Sequence, residues 1–456
     1  MKTQVFNPYL PCYEYIPDGE PRVFGDRLYI FGSHDKFNGK TFCENDYVTW
    51  SCPVDDLSDW RYEGVIYTRN EDPYSGNLYA PDVIQGLDNK YYLFYCKSDV
   101  SVISVAVCDE PAGKYEYIGD VRHADGRILG EADDELYQFD PSILIDDGHI
   151  YLYSGSGQYN KQNRFKQKLV GCMVMELEKD MLTLKSKPKV LLPGAKNYNK
   201  KAFFEGASAR KINGLYYLVF PAMDMTGLNY ATSSYPDRDF VIRGSIHSTS
   251  DVGINGHSIV KPAYPLGNNH GGLVNIKGQW YIFDHRMTNG NSFSRQGVAE
   301  PVKIEADGSI RQVEATSCGL NGGPLKDEGT YPASIACNLM GFLVKSPFIT
   351  QDLEDGNEAA RQYVTGIRRY HKVGYKYFDL TRDQYTLTIE YMCTGKGNLE
   401  VMQNEKGKCI GKFDVEVKDN WTKVSCTIQP VKGKSALFFQ YKGYGDLSIR
   451  EFSWNK

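Results

Sequence analysis

Short apolar runs alternate with polar turns along this chain, and one such run comes back five times. A turn residue is followed by an apolar residue, then Tyr, then Ile or Leu, then Phe, Tyr or Val. The copies are Leu28-Tyr29-Ile30-Phe31, Tyr91-Tyr92-Leu93-Phe94, Ile150-Tyr151-Leu152-Tyr153, Tyr216-Tyr217-Leu218-Val219 and Trp280-Tyr281-Ile282-Phe283. Gly25-Asp26, Asp88-Asn89, Asp147-Gly148, Asn213-Gly214 and Lys277-Gly278 stand ahead of them. A β-branched and aromatic run of strand length behind a Gly or Asx turn predicts a β-hairpin.

The tyrosines at 29, 92, 151, 217 and 281 are separated by 63, 59, 66 and 64 residues. So even a period, in a chain without long helical patterns, predicts radial repetition of one sheet: a five-bladed β-propeller, with room for four strands and long loops in each blade. Unrelated hairpins in a sandwich are the alternative, and they give no reason for the spacing. After the fifth copy a glycine-rich connector, Gly319-Leu320-Asn321-Gly322-Gly323-Pro324, leads to shorter alternating runs such as Tyr385–Tyr391 and Ala436–Tyr441. These predict a β-sandwich of jelly-roll type. The expected organisation is all-β, with a propeller over residues 1–324 and a sandwich over 325–456.

In a propeller the first strand of each blade lines the central channel, and counting back from each repeat tyrosine locates it. Eleven residues before Tyr29 is Asp18, ten before Tyr92 is Asp82, and eleven before Tyr151 is Asp140. Twelve before Tyr217 is Glu205, and eleven before Tyr281 is His270. Asp18, Asp140 and Glu205 taken singly also have a reading as turn or cap carboxylates, because Asp-Gly and Asp-Pro are frequent in turns. Four carboxylates aimed at one axis repel each other, however, and weaken a purely structural core. Their retention points to a function or to a bound cation.

Glycoside hydrolysis uses such a set. A protonated carboxyl donates to the leaving oxygen while an ionised one acts on the opposite face, and a separation of ~6.5–9.5 Å leaves room for water and inverts the anomeric centre. A third carboxylate beside the acid raises its pKa by like-charge repulsion. Asp140 is the candidate for that place.

Charge and composition narrow the partner. The 52 basic and 57 acidic residues give a net charge of −5 without any block of like charge, so neither a nucleic-acid nor an anionic-membrane footprint is present. A neutral polar partner, an oligosaccharide, fits. The segment Met1–Pro8 lacks the apolar stretch of a signal peptide, and no run approaches the ~18 apolar residues of a membrane span. The eleven cysteines are scattered and form no Cys-x-x-Cys pair, which suits a reducing compartment and argues against a cysteine metal site. The expectation is a cytoplasmic protein.

At its acidic motifs the sequence resembles glycoside hydrolase family 43, five-bladed propeller enzymes that act by inversion, mostly α-L-arabinofuranosidases and β-xylosidases. The likeness spans roughly residues 5–320. It rests on Asn7-Pro8, Pro17-Asp18-Gly19-Glu20-Pro21, Gly32-Ser33-His34-Asp35, Tyr79-Ala80-Pro81-Asp82-Val83, Phe139-Asp140-Pro141-Ser142, Glu205-Gly206 and Asn269-His270-Gly271. The resemblance implies Asp18 as general base, Asp140 as the residue that tunes and orients the acid, and Glu205 as general acid. Many members carry the base in Asp-Pro, whereas here Asp18 precedes Gly19 and Glu20 precedes Pro21, so Glu20 stays as the alternative base. His270 resembles a histidine that faces a hydrated cation, usually calcium, in the channel. Arg295 resembles an arginine that reaches the sugar pocket.

Asp82 and Arg286 are further candidates for substrate contact, with Arg286 and Arg295 also able to offset the acidic pit. His34 and Asp35 are expected to fasten a loop.

The C-terminal part resembles a family 6 carbohydrate-binding module around Gly374–Asp379, Asn420-Trp421 and Ala436–Phe439, and such modules also hold calcium. Its aromatic rings read equally as core. The predicted activity is release of a terminal arabinofuranose or xylose from hemicellulose-derived oligosaccharides, with no cofactor needed for the chemistry. The alternatives are a glycan-binding propeller without catalysis and an exo-glycosidase acting on galactosides. An invertase-like enzyme would need an Asn-Asp-Pro-Asn motif, which the chain lacks.

Overall fold

Five antiparallel sheets follow one another along the chain, each opening with a hairpin whose second strand carries a repeat tyrosine. The computed structural model describes residues 4–157, 165–194, 201–341 and 345–455. Blade I is Glu20–Phe24, Arg27–Phe31, Tyr47–Pro53 and Arg61–Tyr67. Blade II is Leu78–Gln85, Tyr91–Lys97, Val100–Cys108 and Glu116–Asp120. Blade III is Ser142–Asp146, His149–Ser154, Gly171–Leu177 and Lys189–Pro193, and blade IV is Ser208–Ile212, Leu215–Pro221, Leu228–Ser233 and Val241–His247. Blade V is Leu273–Ile276, Gln279–Met287 and Arg295–Val302.

Turn chemistry explains the hairpins. In Asp147-Gly148, Asn213-Gly214 and Lys277-Gly278 both residues have positive φ, the backbone of a type I′ turn whose twist matches that of the paired strands. The first strands lie side by side around the axis, blade I against II, II against III, III against IV, and V against I. Arg210 Nε of blade IV donates to the Leu273 carbonyl of blade V at 2.9 Å, completing the ring. This is the radial closure that the even spacing predicts.

Blade V departs from the expected four strands. The edge of Arg295–Val302 is met by Asn7, whose Oδ1 accepts from Ala299 N at 3.0 Å and whose Nδ2 donates to Ala299 O at 3.1 Å. A side-chain amide thus stands in for a neighbouring peptide and satisfies that edge without a ladder.

Beyond the connector, two six-stranded sheets pack over a shared apolar core. One is built around Lys372–Leu380, Gly433–Gly443 and Gly397–Gln403, the other around Gln362–Ile367, Leu447–Asn455 and Tyr385–Cys393. Tyr375, Phe378 and Phe439 are buried there, while Phe438, also buried, faces away from that core over Gly374. The first three of these rings of the sugar-binding resemblance are therefore core. Trp421 is only half-buried, and the Arg450 guanidinium covers it, 4.5 Å from the ring centre.

The sandwich docks on the propeller through polar contacts. Arg286 donates from Nη1 to Ala336 O at 2.6 Å and from Nη2 to Ser334 O at 2.5 Å, and Lys376 Nζ pairs with Asp251 at 2.6 Å. Arg286 therefore does not reach the sugar pit, contrary to expectation. Its strand turns it toward the carbonyls of the sandwich, which accept from the guanidinium in place of a substrate hydroxyl.

Candidate active site

The pit lies where the chain enters the first strands. Asp18 and Asp140 each sit two residues ahead of a strand, at Glu20 and Ser142, with φ of 56° and 45°. Left-handed backbone at a residue with a side chain costs of order 1–3 kcal/mol and collects at functional sites. Gly206, with φ of 63°, performs the same turn beside Glu205. A cavity of about 320 Å³ opens between these entry points, lined by Asp18, Asp140, Glu205, His270 and Arg295, with Phe42, Tyr79, Phe139, Phe204 and Met225 among its apolar walls. Pockets for small ligands span ~300–1,000 Å³, so this one is small.

Asp82 does not belong to the pit. Glu20, Asp82, Ser142 and Ser208 lie opposite Phe31, Phe94, Tyr153 and Val219, each two residues past a repeat tyrosine. Asp82 thus shares a level with Glu20, one step deeper than Asp18 and Asp140. The blade II hairpin closes Gln85 on Tyr91 and leaves five residues in its turn, where blade I closes Phe24 on Arg27 and leaves two. Together with a register shift between Tyr79 and Asp82, this defeats counting by offset. In blade II the pit wall is Ala80.

Asp82 is fully buried, held by Arg22 Nη2 at 2.6 Å and Nε at 3.0 Å and by Ile143 N at 2.9 Å. Glu20, the alternative base, is likewise engaged beneath the pit by Arg210 Nη2 at 2.6 Å. Neither is free to meet substrate.

The electrostatics separate the remaining carboxyls. Burial opposes ionisation of Asp18, but the charge of Arg295, the largest of the opposing causes, overrides it and holds the carboxyl at about 2. Arg295 Nη1 is 3.0 Å from Asp18 Oδ1, and Nε and Nη2 grip both oxygens of Asp35 at 2.8 and 2.9 Å. Asp35 therefore fastens the arginine as well as its loop.

Glu205, partly exposed on the pit, is pushed up to about 8 by desolvation and by the Asp18 charge, with Arg295 pulling the other way. Desolvation, then the charges of Glu205 and Asp18, lifts Asp140 well above the carboxylate range. Glu205 and Asp140 hold protons as a pair while Asp18 stays ionised.

His270 Nδ1 lies 3.9 Å from Asp18 Oδ1 and 4.0 Å from Asp140 Oδ2, bridging the two carboxyls. Among the described residues no three His, Cys, Asp or Glu side chains gather around a common point for a metal. One imidazole and two carboxylates are too few ligands for a calcium ion held by protein alone, and would suit only one that keeps most of its water.

The repeats carry a further regularity that links neighbouring blades. In blades I, II and V the residue four past the repeat tyrosine supports a pit residue of the next blade, whereas in blades III and IV that place is taken by Gly155 and Pro221. Ser33 Oγ accepts from Ala80 N at 2.8 Å, Cys96 Sγ accepts from Asp140 N at 3.3 Å, and His285 Nδ1 accepts from Asp18 N at 3.1 Å. Burial lowers the His285 pKa against the pull of Asp18, so the ring is neutral and free to accept. Counting forward four places from each tyrosine would have found all three. Nothing in the local pattern marks Phe42 or Cys43, which reach the pit from a loop.

Residues 21–310 match the family described as glycosyl hydrolases family 43. The chain belongs to glycosyl hydrolase family 43. It is a glycosidase with a propeller-borne pit. A xylosidase/arabinosidase of Thermoclostridium stercorarium is 45% identical over 99% of both chains, and one of Bacteroides ovatus is 28% identical over 69% of this chain and 99% of its own. Among solved family 43 structures, an arabinoxylan arabinofuranohydrolase of Bacillus subtilis in complex with cellotetraose superposes with a TM-score of 0.55 at 20% identity, covering 99% of this chain and 97% of that one. A family 43 β-xylosidase/α-arabinofuranosidase from a compost metagenome, solved with xylotriose, gives 0.53 at 25% identity over 66% and 95%.

Proposed function

We propose that this family 43 enzyme removes single terminal pentoses, β-D-xylose or α-L-arabinofuranose, from hemicellulose-derived oligosaccharides with inversion at the anomeric carbon. The observation that carries the reading is the opposed protonation of two carboxyls facing one small cavity: Asp18 ionised above about 2, Glu205 protonated up to about 8. The full-length likeness to a xylosidase/arabinosidase supports the substrate class.

In the proposed step a water oxygen bonds to the anomeric carbon as its proton passes to Asp18. The bond from that carbon to the glycosidic oxygen breaks, and Glu205 delivers its proton to that oxygen. Arg295 keeps Asp18 ionised without neutralising it by proton transfer, and His285 holds the Asp18 backbone. Asp140, protonated and beside His270, orients the acid side of the pit. The limited volume suits one sugar ring, consistent with action at chain ends.

The test is proton NMR of the sugar first released from aryl β-xyloside and aryl α-arabinofuranoside. Inversion gives the opposite anomer before mutarotation, and retention would overturn the assignment. Glu205→Gln is expected to lose about 10³-fold on xylobiose and far less on a dinitrophenyl xyloside, whose leaving group needs no proton. Equal losses on both would remove Glu205 from the acid role.

A further inference from the structure

One side of the pit is made by the loop of residues 34–46, between the second and third strands of blade I. Its Phe42 and Cys43 line the cavity. The Phe42 ring covers the Arg295 guanidinium with its centroid 4.8 Å away, and Phe293 of blade V packs edge-on against it at 4.8 Å. Turns inside the loop are closed by Asp35 and Glu44. Its two ends are held from the sandwich. Asp355 Oδ1 accepts from Phe37 N at 2.5 Å, and Asp355 Oδ2 accepts from Asn45 Nδ2 at 3.0 Å.

The neighbouring loop that carries Phe293 is tied to the same place. Asn289 N donates to Ile349 O at 2.6 Å, and Thr350 Oγ1 donates to Asn289 Oδ1 at 2.8 Å. Asn38 N also donates to Ser294 Oγ at 3.0 Å, joining the two loops.

We propose that sandwich residues 349–355 are a working part of the catalytic site, with Asp355 a positioning residue that sets Phe42 against the bound sugar and over the Arg295–Asp18 pair. Ordering an irregular loop costs backbone entropy at every residue. A single carboxylate that accepts from both ends removes much of that freedom, and hydrogen bonds to an ionised acceptor are the stronger kind. Phe42 lies between those two points. An aromatic ring packs on the C–H face of a sugar, and over Arg295 it keeps water from a charge pair whose strength depends on a low local dielectric. A shift of about 1 Å in such a wall is enough to change turnover. The C-terminal domain then serves catalysis by shaping the pit, whether or not it holds glycan itself.

The inference rests on the pit being the sugar site, and the test separates the two. In the full chain, Asp355→Ala is expected to lower kcat/KM on aryl β-xyloside about tenfold, chiefly through KM, with the melting temperature within about 2 °C of wild type. Asp355→Asn, which keeps an acceptor for Phe37 N, is expected to lose about threefold.

The decisive measurement is a double-mutant cycle with Phe42→Ala. If Asp355 acts through Phe42, Asp355→Ala costs less than about twofold once Phe42 is gone. Losses that multiply, or wild-type kinetics in Asp355→Ala, would overturn the inference. Should Asp355→Ala fold poorly, the same cycle run with Asp355→Asn decides. Unimpaired hydrolysis in Glu205→Gln would instead sink the assignment of the pit.

Discussion

Arg295 spans two buried aspartates, with Nη1 3.0 Å from Asp18 and with Nε and Nη2 closing on both oxygens of Asp35. The second grip aims the first. Asp35 holds the guanidinium in one plane, and the remaining amine meets Asp18. Burial would otherwise raise the Asp18 carboxyl, so its low value depends on this arginine.

Replacing Arg295 with Met therefore shifts the acid limb of the kcat/KM profile upward from about 2, past the ordinary carboxylate value, because burial is left unopposed. Activity at mildly acidic pH is expected to fall by about 10² or more. The change also leaves Asp35 buried without its partner, a loss of about 3–5 kcal/mol in stability. A pH–rate profile with an unmoved acid limb would refute this account.

Glu205 has the opposite linkage. Its folded pKa of about 8 exceeds the unfolded value, so the native state keeps a proton that the unfolded chain releases, and stability is lost as pH rises from about 4.3 to about 8. Glu205→Gln removes that cost. This variant is expected to melt higher than wild type at pH 8, by on the order of 3 kcal/mol in stability, and to match it at pH 4, where both states are largely protonated. Thermal melts at the two pH values check the sign. The alkaline limb of wild-type activity is expected near pH 8 as the acid loses its proton.

Asp82, set below the pit against Arg22, is expected to matter for folding and not for substrate. Asp82→Ala strands a buried guanidinium and the Ile143 amide of the neighbouring blade, and should cost about 3–5 kcal/mol in denaturant unfolding. KM measured well below the new melting point should stay within about twofold of wild type. A large KM change with unaltered stability would return Asp82 to the sugar.

Arg286 joins the two parts of the chain. Arg286→Met leaves the carbonyls of Ser334 and Ala336 unpaired in a buried interface, at about 1–3 kcal/mol each. Calorimetry should show a lower melting temperature or a split transition, while kcat on aryl pentosides is retained at 25 °C.

The repeat was legible in the sequence because a hairpin is a local object. Apolar alternation and a turn dipeptide such as Asn213-Gly214 need only their neighbours along the chain to select backbone and pairing. Asp18, Asp140, Glu205 and His270 were legible for the same reason, since each stands a short and nearly constant distance from a strand that declares itself. What the chain alone left undecided is set by partners far away in sequence.

The level of Asp82 depends on a longer turn and a register shift in its own blade, and a one-residue change of register moves a side chain to another environment. Where Arg286 points depends on where the sandwich docks. Whether a carboxyl holds its proton depends on burial and on a charge such as Arg295, 277 residues from Asp18. Local sequence determines which elements form. Only packing decides dielectric, charge proximity and which side chains meet, because those are properties of the assembled interior.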